Sequence, residues 1–433
     1  MTQSSSPSPA AFAVSLVPVA FVAALLVGST LARAEDQPFS LSFSENYSHD
    51  SNVFRQPDKG EVSADWISNT GLGLTLDKSY GRQEYRANVS AGHAQYRRNN
   101  QLNNNYYDAN LGFASEIASD FKLSLNGDSA QSIATFDNGI GNPNEKNPLH
   151  STTLGGQLQY GLYGRMSLYG GFNHSSQRYD IANVNFPDRR LNTSNIGAQY
   201  SPGGNSSFGI GLRHGTGGNG YGGSSSSLDD KIKRNDLDFS AAWQITGFSV
   251  FNSRVSLTHE GHSDPAVNDS KTVTWQIGWN YTPTGKLSFN SFMIRDTSNG
   301  STGGQTVFVP SLTVGTTVFG SNEFVNSPLI NNSITNSIGT TANWQATSKI
   351  KVTTQLSFSQ IQSHFVDAAD STHNRSANSH YTSYGLSASY DVLRHLNVSC
   401  GAQKLSRSAD HINTLGFKAT ELNCMGAYTL GGL

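Results

Sequence analysis

From about residue 39 onward this chain alternates apolar and polar residues, in segments of roughly ten residues joined by connections that are alternately short and long. In segment 270–283, Val273, Trp275, Ile277, Trp279 and Tyr281 take one parity; Thr274, Gln276, Gly278 and Asn280 take the other. A two-residue period puts one set on each face of a β-strand. A soluble sandwich also alternates, but its turns do not sort into two length classes. A transmembrane barrel does both, with apolar residues out to lipid, polar residues in to a lumen, tight turns on one side and long loops on the other.

The rest of the composition agrees. Past the N-terminus nothing reaches the roughly 18 consecutive apolar residues of a membrane helix, and mean hydropathy is −0.41. An integral protein of this kind is therefore a closed all-β barrel, because only helices and barrels satisfy every backbone group in lipid. Charged residues make up 14% and glycines number 43, which suits a barrel better than a soluble enzyme. The net charge of −2 leaves no footprint for nucleic acid.

Residues 1–34 read as a secretory signal: an apolar run from Ala11 to Leu26, then Ala32-Arg33-Ala34 as a cleavage pattern before Glu35. Its n-region carries no Lys or Arg, so the start position is open, and a retained anchor is the alternative. The expected arrangement is a signal at 1–34 and an outer-membrane barrel at 35–433, in a Gram-negative cell.

Eighteen segments are legible, at 39–47, 62–76, 83–98, 106–117, 121–135, 151–162, 166–179, 190–200, 206–214, 233–245, 248–261, 271–281, 286–298, 332–346, 350–364, 379–391, 395–407 and 416–430. Sixteen and twenty are the competing counts. Short connections fall near 77–82, 118–120, 163–165, 201–205, 246–247, 282–285, 347–349 and 392–394, and these are assigned to the periplasm. Segments running toward that side end in outward-parity aromatics: Tyr160, Tyr200, Trp243, Trp279 with Tyr281, Trp344, Tyr390 and Tyr428. Segments leaving it open on Phe121, Leu168, Phe208 and Leu287. This is the pattern of an aromatic girdle. The long stretch 299–331 has three readings: an external hairpin, a loop folded into the lumen, or two further strands. The first two are favoured. Loops are also expected at 48–61, 215–232 and 365–378.

The only two cysteines, Cys400 and Cys424, sit on the last two segments with matching outward parity, and a hairpin symmetric about residue 412 sets them opposite. A cross-strand disulfide is expected, with two unbridged small residues facing lipid as the alternative.

No catalytic constellation, cofactor motif or metal site stands out. His259-Glu260-Gly261-His262 lacks the helical spacing of a zinc protease motif and is expected to be a solvated rim. The inward parity is more telling. Arg86, Asn88, Asn110, Gln157, Gln159, Gln199, Arg213, Arg254, Gln276, Asn280, Asn343 and Gln345 are expected to line the lumen. Such a lining is rich in amides, mixed in charge sign and without a ring of one sign. It can exchange hydrogen bonds with a hydrated polysaccharide or sugar, whereas a ring of one sign would favour ions. A barrel of about eighteen strands leaves room for an aqueous channel.

Asp50-Ser51-Asn52-Val53-Phe54-Arg55 after the first segment resembles a signature of the exopolysaccharide-biosynthesis operon outer-membrane proteins, an EpsL-like β-barrel porin family. Thr70-Gly71-Leu72-Gly73-Leu74, running on to Asp77-Lys78-Ser79-Tyr80-Gly81-Arg82-Gln83, is similar to that family's next block. Asn397-Val398-Ser399-Cys400, and Asn423-Cys424 with Tyr428-Thr429-Leu430, are similar to its ending. The likeness covers about 40–110 and 395–430. The trailing Gly431-Gly432-Leu433 departs from the terminal aromatic of many outer-membrane barrels. The resemblance implies export of an exopolysaccharide through the lumen, with a periplasmic polysaccharide-export protein as partner. Asn52 and Arg55 would lie at the external mouth and the turns near 77–82 would face the partner. A general or sugar-specific diffusion porin is the alternative function.

Overall fold

The computed structural model describes residues 38–57, 62–118, 120–134, 146–162, 164–182, 188–203, 205–220, 229–263, 269–297, 312–314, 317–319, 333–367, 370–409 and 416–431. The segment 1–34, expected to be a signal, lies outside them.

The strands are β1 (Phe39–Asp50), β2 (Asp65–Tyr80), β3 (Gln83–Tyr96), β4 (Asn104–Ile117), β5 (Phe121–Ile133), β6 (Pro148–Tyr160), β7 (Met166–Tyr179), β8 (Asp188–Gly203), β9 (Ser206–Gly220) and β10 (Asp230–Thr246). They continue as β11 (Ser249–His262), β12 (Ser270–Thr284), β13 (Leu287–Thr297), β14 (Leu312–Val314), β15 (Thr317–Phe319), β16 (Ser333–Gln345), β17 (Ile350–Asp367), β18 (Asp370–Leu393), β19 (Leu396–Arg407) and β20 (Phe417–Leu430). Eighteen of them form one antiparallel sheet. Each pairs with its sequence neighbours, β13 passes to β16, and β20 returns to β1, with Phe43 opposite Tyr428. The sheet thus has no free edge, and every ladder group finds a partner without water.

Cross-strand partners share a face, so one set of residues can be followed around the wall. Leu72, Ala91, Tyr107 and Gln131 are successive partners on β2 to β5, and Ile196, Leu212, Leu237, Leu257 and Val273 on β8 to β12. This set points outward and leaves Leu72, Leu111, Ile196, Leu212, Phe239, Leu257, Ile338 and Leu386 exposed. The opposite set is polar, and Ser256, Thr258, Thr274, Ser359, Ser383 and Ser399 among its members are buried. A water-soluble domain has the reverse distribution, and so large an apolar exterior requires lipid around it. The molecule is a closed transmembrane β-barrel.

The expected girdle forms in groups of paired aromatic and large apolar residues. Tyr160 pairs with Phe121 and Leu168, Tyr200 with Phe208, Trp243 with Phe251, Phe251 with Trp279, and Trp344 with Leu287. Trp279 stacks on Tyr281 at 5.5 Å between ring centroids. Tight turns follow at the same end. Gly81 adopts φ +60° in the β2–β3 turn, a left-handed value that a side chain disfavours.

Two expected loops, 215–232 and 365–378, are shorter than the pattern suggested, because strands run on past the apolar band, and the connection expected at 48–61 is shifted, with β2 beginning at Asp65. β1 extends to Asp50, β9 to Gly220, and β17 and β18 pair out to Asp367 and Asp370. The ladder is held by backbone hydrogen bonds, which persist where neither face is apolar, so the alternation ends before the strand does. In 299–331, β14 and β15 pair only with each other, in a separate two-stranded sheet. That removes the count of twenty. The rest of that stretch lies outside the described residues.

Cys400 and Cys424 are direct partners on β19 and β20 and are joined by a disulfide, with Cα atoms 4.1 Å apart. Tyr47 on β1 faces Cys424 from the other side, on the outward set.

Candidate functional site: the inner wall

The register puts all twelve of the lumen residues expected from the sequence on the inward set. Asn88 faces Asn110, Arg86 faces Gly112, Gln157 faces Ser124, Gln159 faces Lys122, and Gln199 faces Gly209. Arg213 faces Asp236, Arg254 faces Gln276, Asn280 faces Asn290, Asn343 faces Thr353, and Gln345 faces Lys351. They are spread around the wall rather than gathered at one spot. Several are tied to neighbours: Thr75 donates to Asn88 Oδ1 at 2.8 Å, Gln159 Nε2 to Ser167 at 3.1 Å, and Thr353 to Asn343 Oδ1 at 3.0 Å. Asn110 donates to Asp108.

The buried charge on this wall is gathered into two networks, while Arg86, Asp108, Glu116, Lys122 and Asp128 lie outside them. The first is built on β9 to β13. Arg213 donates from Nε and Nη2 to the Asp238 carboxylate at 3.0 and 2.9 Å, a two-point grip that holds both planes. Arg213 is therefore buried and braced, and the amide neighbours are the groups left to meet a solute. Arg234 grips Asp236 through Nε at 2.9 Å and reaches Asp296 on β13 through Nη1, also at 2.9 Å. Thr258 donates to Asp236 at 2.5 Å, and Thr297 donates to Glu260 at 2.8 Å. One guanidinium thus links a strand to the third strand beyond it, so the wall curves sharply here and its inner side chains converge.

Glu260 and His262 belong to this network. Both face inward, with Glu260 only 1% exposed and His262 Nδ1 2.7 Å from Asp230. The expected solvated rim at 259–262 is corrected: strand alternation sends His259 outward, and Glu260 and His262 into the buried network. No cluster fit to hold a metal occurs among the described residues. The sequence does carry a trace of the network, in Arg234, Asp236 and Asp238 at one parity, but parity alone does not say which charges touch.

The second network fastens the seam where β20 meets β1, and it is made by the 50–55 motif. Arg55 Nη1 meets Asp50 Oδ2 at 2.6 Å and Nη2 meets Glu421 Oε1 of β20 at 2.6 Å. Arg55 also lies over the Phe417 ring, 5.7 Å from its centroid. Asn52 Nδ2 donates to the carbonyls of Gln56 and Lys418 at 2.8 and 3.0 Å, and its Oδ1 accepts the Gln56 N–H at 2.8 Å. Arg55 sits at φ +50° to close this turn. Val53 and Phe54 pack with Leu102, Tyr96 and Ile133. Beside them Ile361, Tyr381, Leu405, Phe417 and Ala419 form an inward-facing apolar cluster. The expectation of Asn52 and Arg55 at an open mouth is corrected accordingly. They stand at the loop end of the barrel, but buried, as a clasp.

Close approaches shape the remaining wall. Tyr106 lies over Gly92 and Gly71, and Tyr169 over Gly197 and Gly211, in the space a Cβ would fill.

No family model matches this sequence, and no curated protein matches it. Solved structures do align with most of its length. A BenF-like porin from Pseudomonas fluorescens Pf-5 aligns over 91% of this chain and 98% of its own, at 11% identity and a TM-score of 0.46. OccAB3 of Acinetobacter baumannii aligns over 90% and 98%, at 11% identity and a TM-score of 0.45. OccK2 (OpdF) of Pseudomonas aeruginosa, in complex with glucuronate, aligns over 92% and 98%, at 13% identity and a TM-score of 0.43. At such identities the likeness is one of architecture alone.

Proposed function

We propose that this outer-membrane barrel is a passive channel for small, hydrated, weakly charged solutes, sugars foremost. One observation carries the reading: the most deeply buried inner-wall charges are spent on each other. Arg213 is held by Asp238, Arg234 by Asp236 and Asp296, and Arg55 by Asp50 and Glu421. Amides and hydroxyls such as Gln157, Gln199, Gln276 and Asn280 remain to face a solute. They act as donors and acceptors at once, which suits sugar hydroxyls and leaves little field to select ions.

The test is single-channel recording in planar bilayers together with sugar flux into liposomes. Near-equal cation and anion permeability, with sugar flux falling as the sugar grows, is expected. Replacing Gln157, Gln199 and Gln276 together by Ala should alter sugar flux and leave ion selectivity alone. A strongly ion-selective pore, or one closed to sugars, would overturn the reading.

A second reading is export of an exopolysaccharide, fed by a periplasmic polysaccharide-export protein, and the Asp50–Arg55 motif is what favours it. A deletion strain separates the two. Loss of surface polymer with periplasmic accumulation supports export; unchanged polymer with impaired sugar uptake supports diffusion.

A further inference from the structure

The outward face changes character abruptly at the loop end of β8 to β12. Ile196, Leu212, Leu237, Leu257 and Val273 form one rung of cross-strand partners. The next rung toward the loops is Ser194, His214, Asn235, His259 and Lys271. Above it Lys233 stands between Thr216 and Gly261, and above that Arg190 and Lys231 flank Gly218. Arg190, Lys231, Lys233 and Lys271 are all exposed.

Rungs on one face are about 7 Å apart and strands about 4.8 Å. The four basic side chains therefore spread over roughly 19 Å across β8 to β12 and about 14 Å along the strands, just above the apolar band. Small residues separate them: Thr216, Gly218 and Gly261, the last with the Asp269 carboxylate beside it. Neighbouring carboxylates are partly committed. Asp188 accepts the Tyr179 N–H at 2.8 Å, and Asp269 accepts the His262 N–H at 3.2 Å. Asp229 follows one rung above Lys231.

We propose that this patch binds the headgroup of a phosphorylated glycolipid of the outer leaflet. The apolar rung beneath it must already be covered by acyl chains, so the headgroups of those lipids lie at the height of Lys271 and Lys233. Several cations spread over this width match a headgroup with more than one phosphate better than a single phosphodiester. Long basic side chains keep their stems on the apolar band and their charges at the headgroup level. The other wall is poorer at this height. Its outward basic residues stand apart from one another: Arg295 lies over the Trp275 ring, Lys404 over Tyr384, and Lys418 on β20. The proposal depends on the membrane location and not on which solute the lumen carries.

The experiment is native mass spectrometry of the full-length barrel in detergent, titrated with bisphosphorylated lipid A, dephosphorylated lipid A or phosphatidylglycerol. The wild type is compared with the variant Arg190→Gln/Lys231→Gln/Lys233→Gln/Lys271→Gln and with Lys404→Gln. Retention of bisphosphorylated lipid A by the wild type and by Lys404→Gln, falling at least about tenfold in the fourfold variant as four surface ion contacts are lost together, is the expected result. Equal retention by wild type and fourfold variant would overturn the proposal, as would equal retention of the dephosphorylated lipid or of phosphatidylglycerol. Unchanged heat-modifiable gel migration shows that the fourfold variant is folded.

Discussion

Removing the Arg55 side chain is the sharpest test of how this barrel is closed. The guanidinium side chain is 6% exposed and meets Asp50 at 2.6 Å and Glu421 at 2.6 Å, with those side chains 12% and 32% exposed. It thereby links the first strand to the last. In Arg55→Ala the two carboxylates lose their shared cation and face one another at the seam. Breaking a buried ion pair by deleting one partner costs about 3–5 kcal/mol. Glu421 is part-exposed and water relieves it, so the lower end, about 3 kcal/mol, is expected. A denaturant titration of barrel refolded in lipid vesicles, followed by tryptophan fluorescence, reads this directly. The charge-free variant Asp50→Asn/Arg55→Gln/Glu421→Gln should recover more than half of the loss, because it leaves no uncompensated charge. If Arg55→Ala unfolds at the wild-type midpoint, or the triple variant is no better than the single one, the clasp reasoning fails.

Two further outcomes follow from the outer wall. Cys400→Ser/Cys424→Ser opens a disulfide that encloses 24 residues of sequence separation; a loss of about 2–4 kcal/mol is expected in the same titration. The intact protein should also run faster on a gel without reductant than with it. Ile210→Arg, at a 50%-exposed position in the middle of the apolar band, should cost about 2–4 kcal/mol in lipid vesicles. In mixed detergent micelles, where the charge reaches water, the loss should shrink; an equal loss in both would argue that Ile210 does not face lipid.

The comparison of sequence with structure turns on which interactions carry a period. All eighteen barrel strands were legible, since lipid outside and water inside impose a two-residue alternation that local sequence must obey. The tight turns and the aromatic girdle followed from the same constraint, and so did the cysteine parity. The inward parity of residues such as Gln157 and Gln276 was equally readable. Their partners were not, because parity gives a face and no distances. The 50–55 motif shows the limit well. Its residues invite a reading as an exposed mouth, yet Asn52 is 0% exposed and Arg55 5%.

What the sequence by itself determined is therefore the barrel: its alternating strands, its inside and its outside, and the end that bears the short turns. The reason is that each strand meets its solvents independently, and a one-residue slip would turn every side chain to the wrong one. What only the tertiary structure decided is where charge is cancelled. Asp50 and Glu421 stand 371 positions apart and meet through Arg55 only after β20 has paired with β1. Arg234 finds Asp296 only because the wall curves between β10 and β13. Closure and curvature are properties of the whole sheet, and no stretch of sequence records them locally.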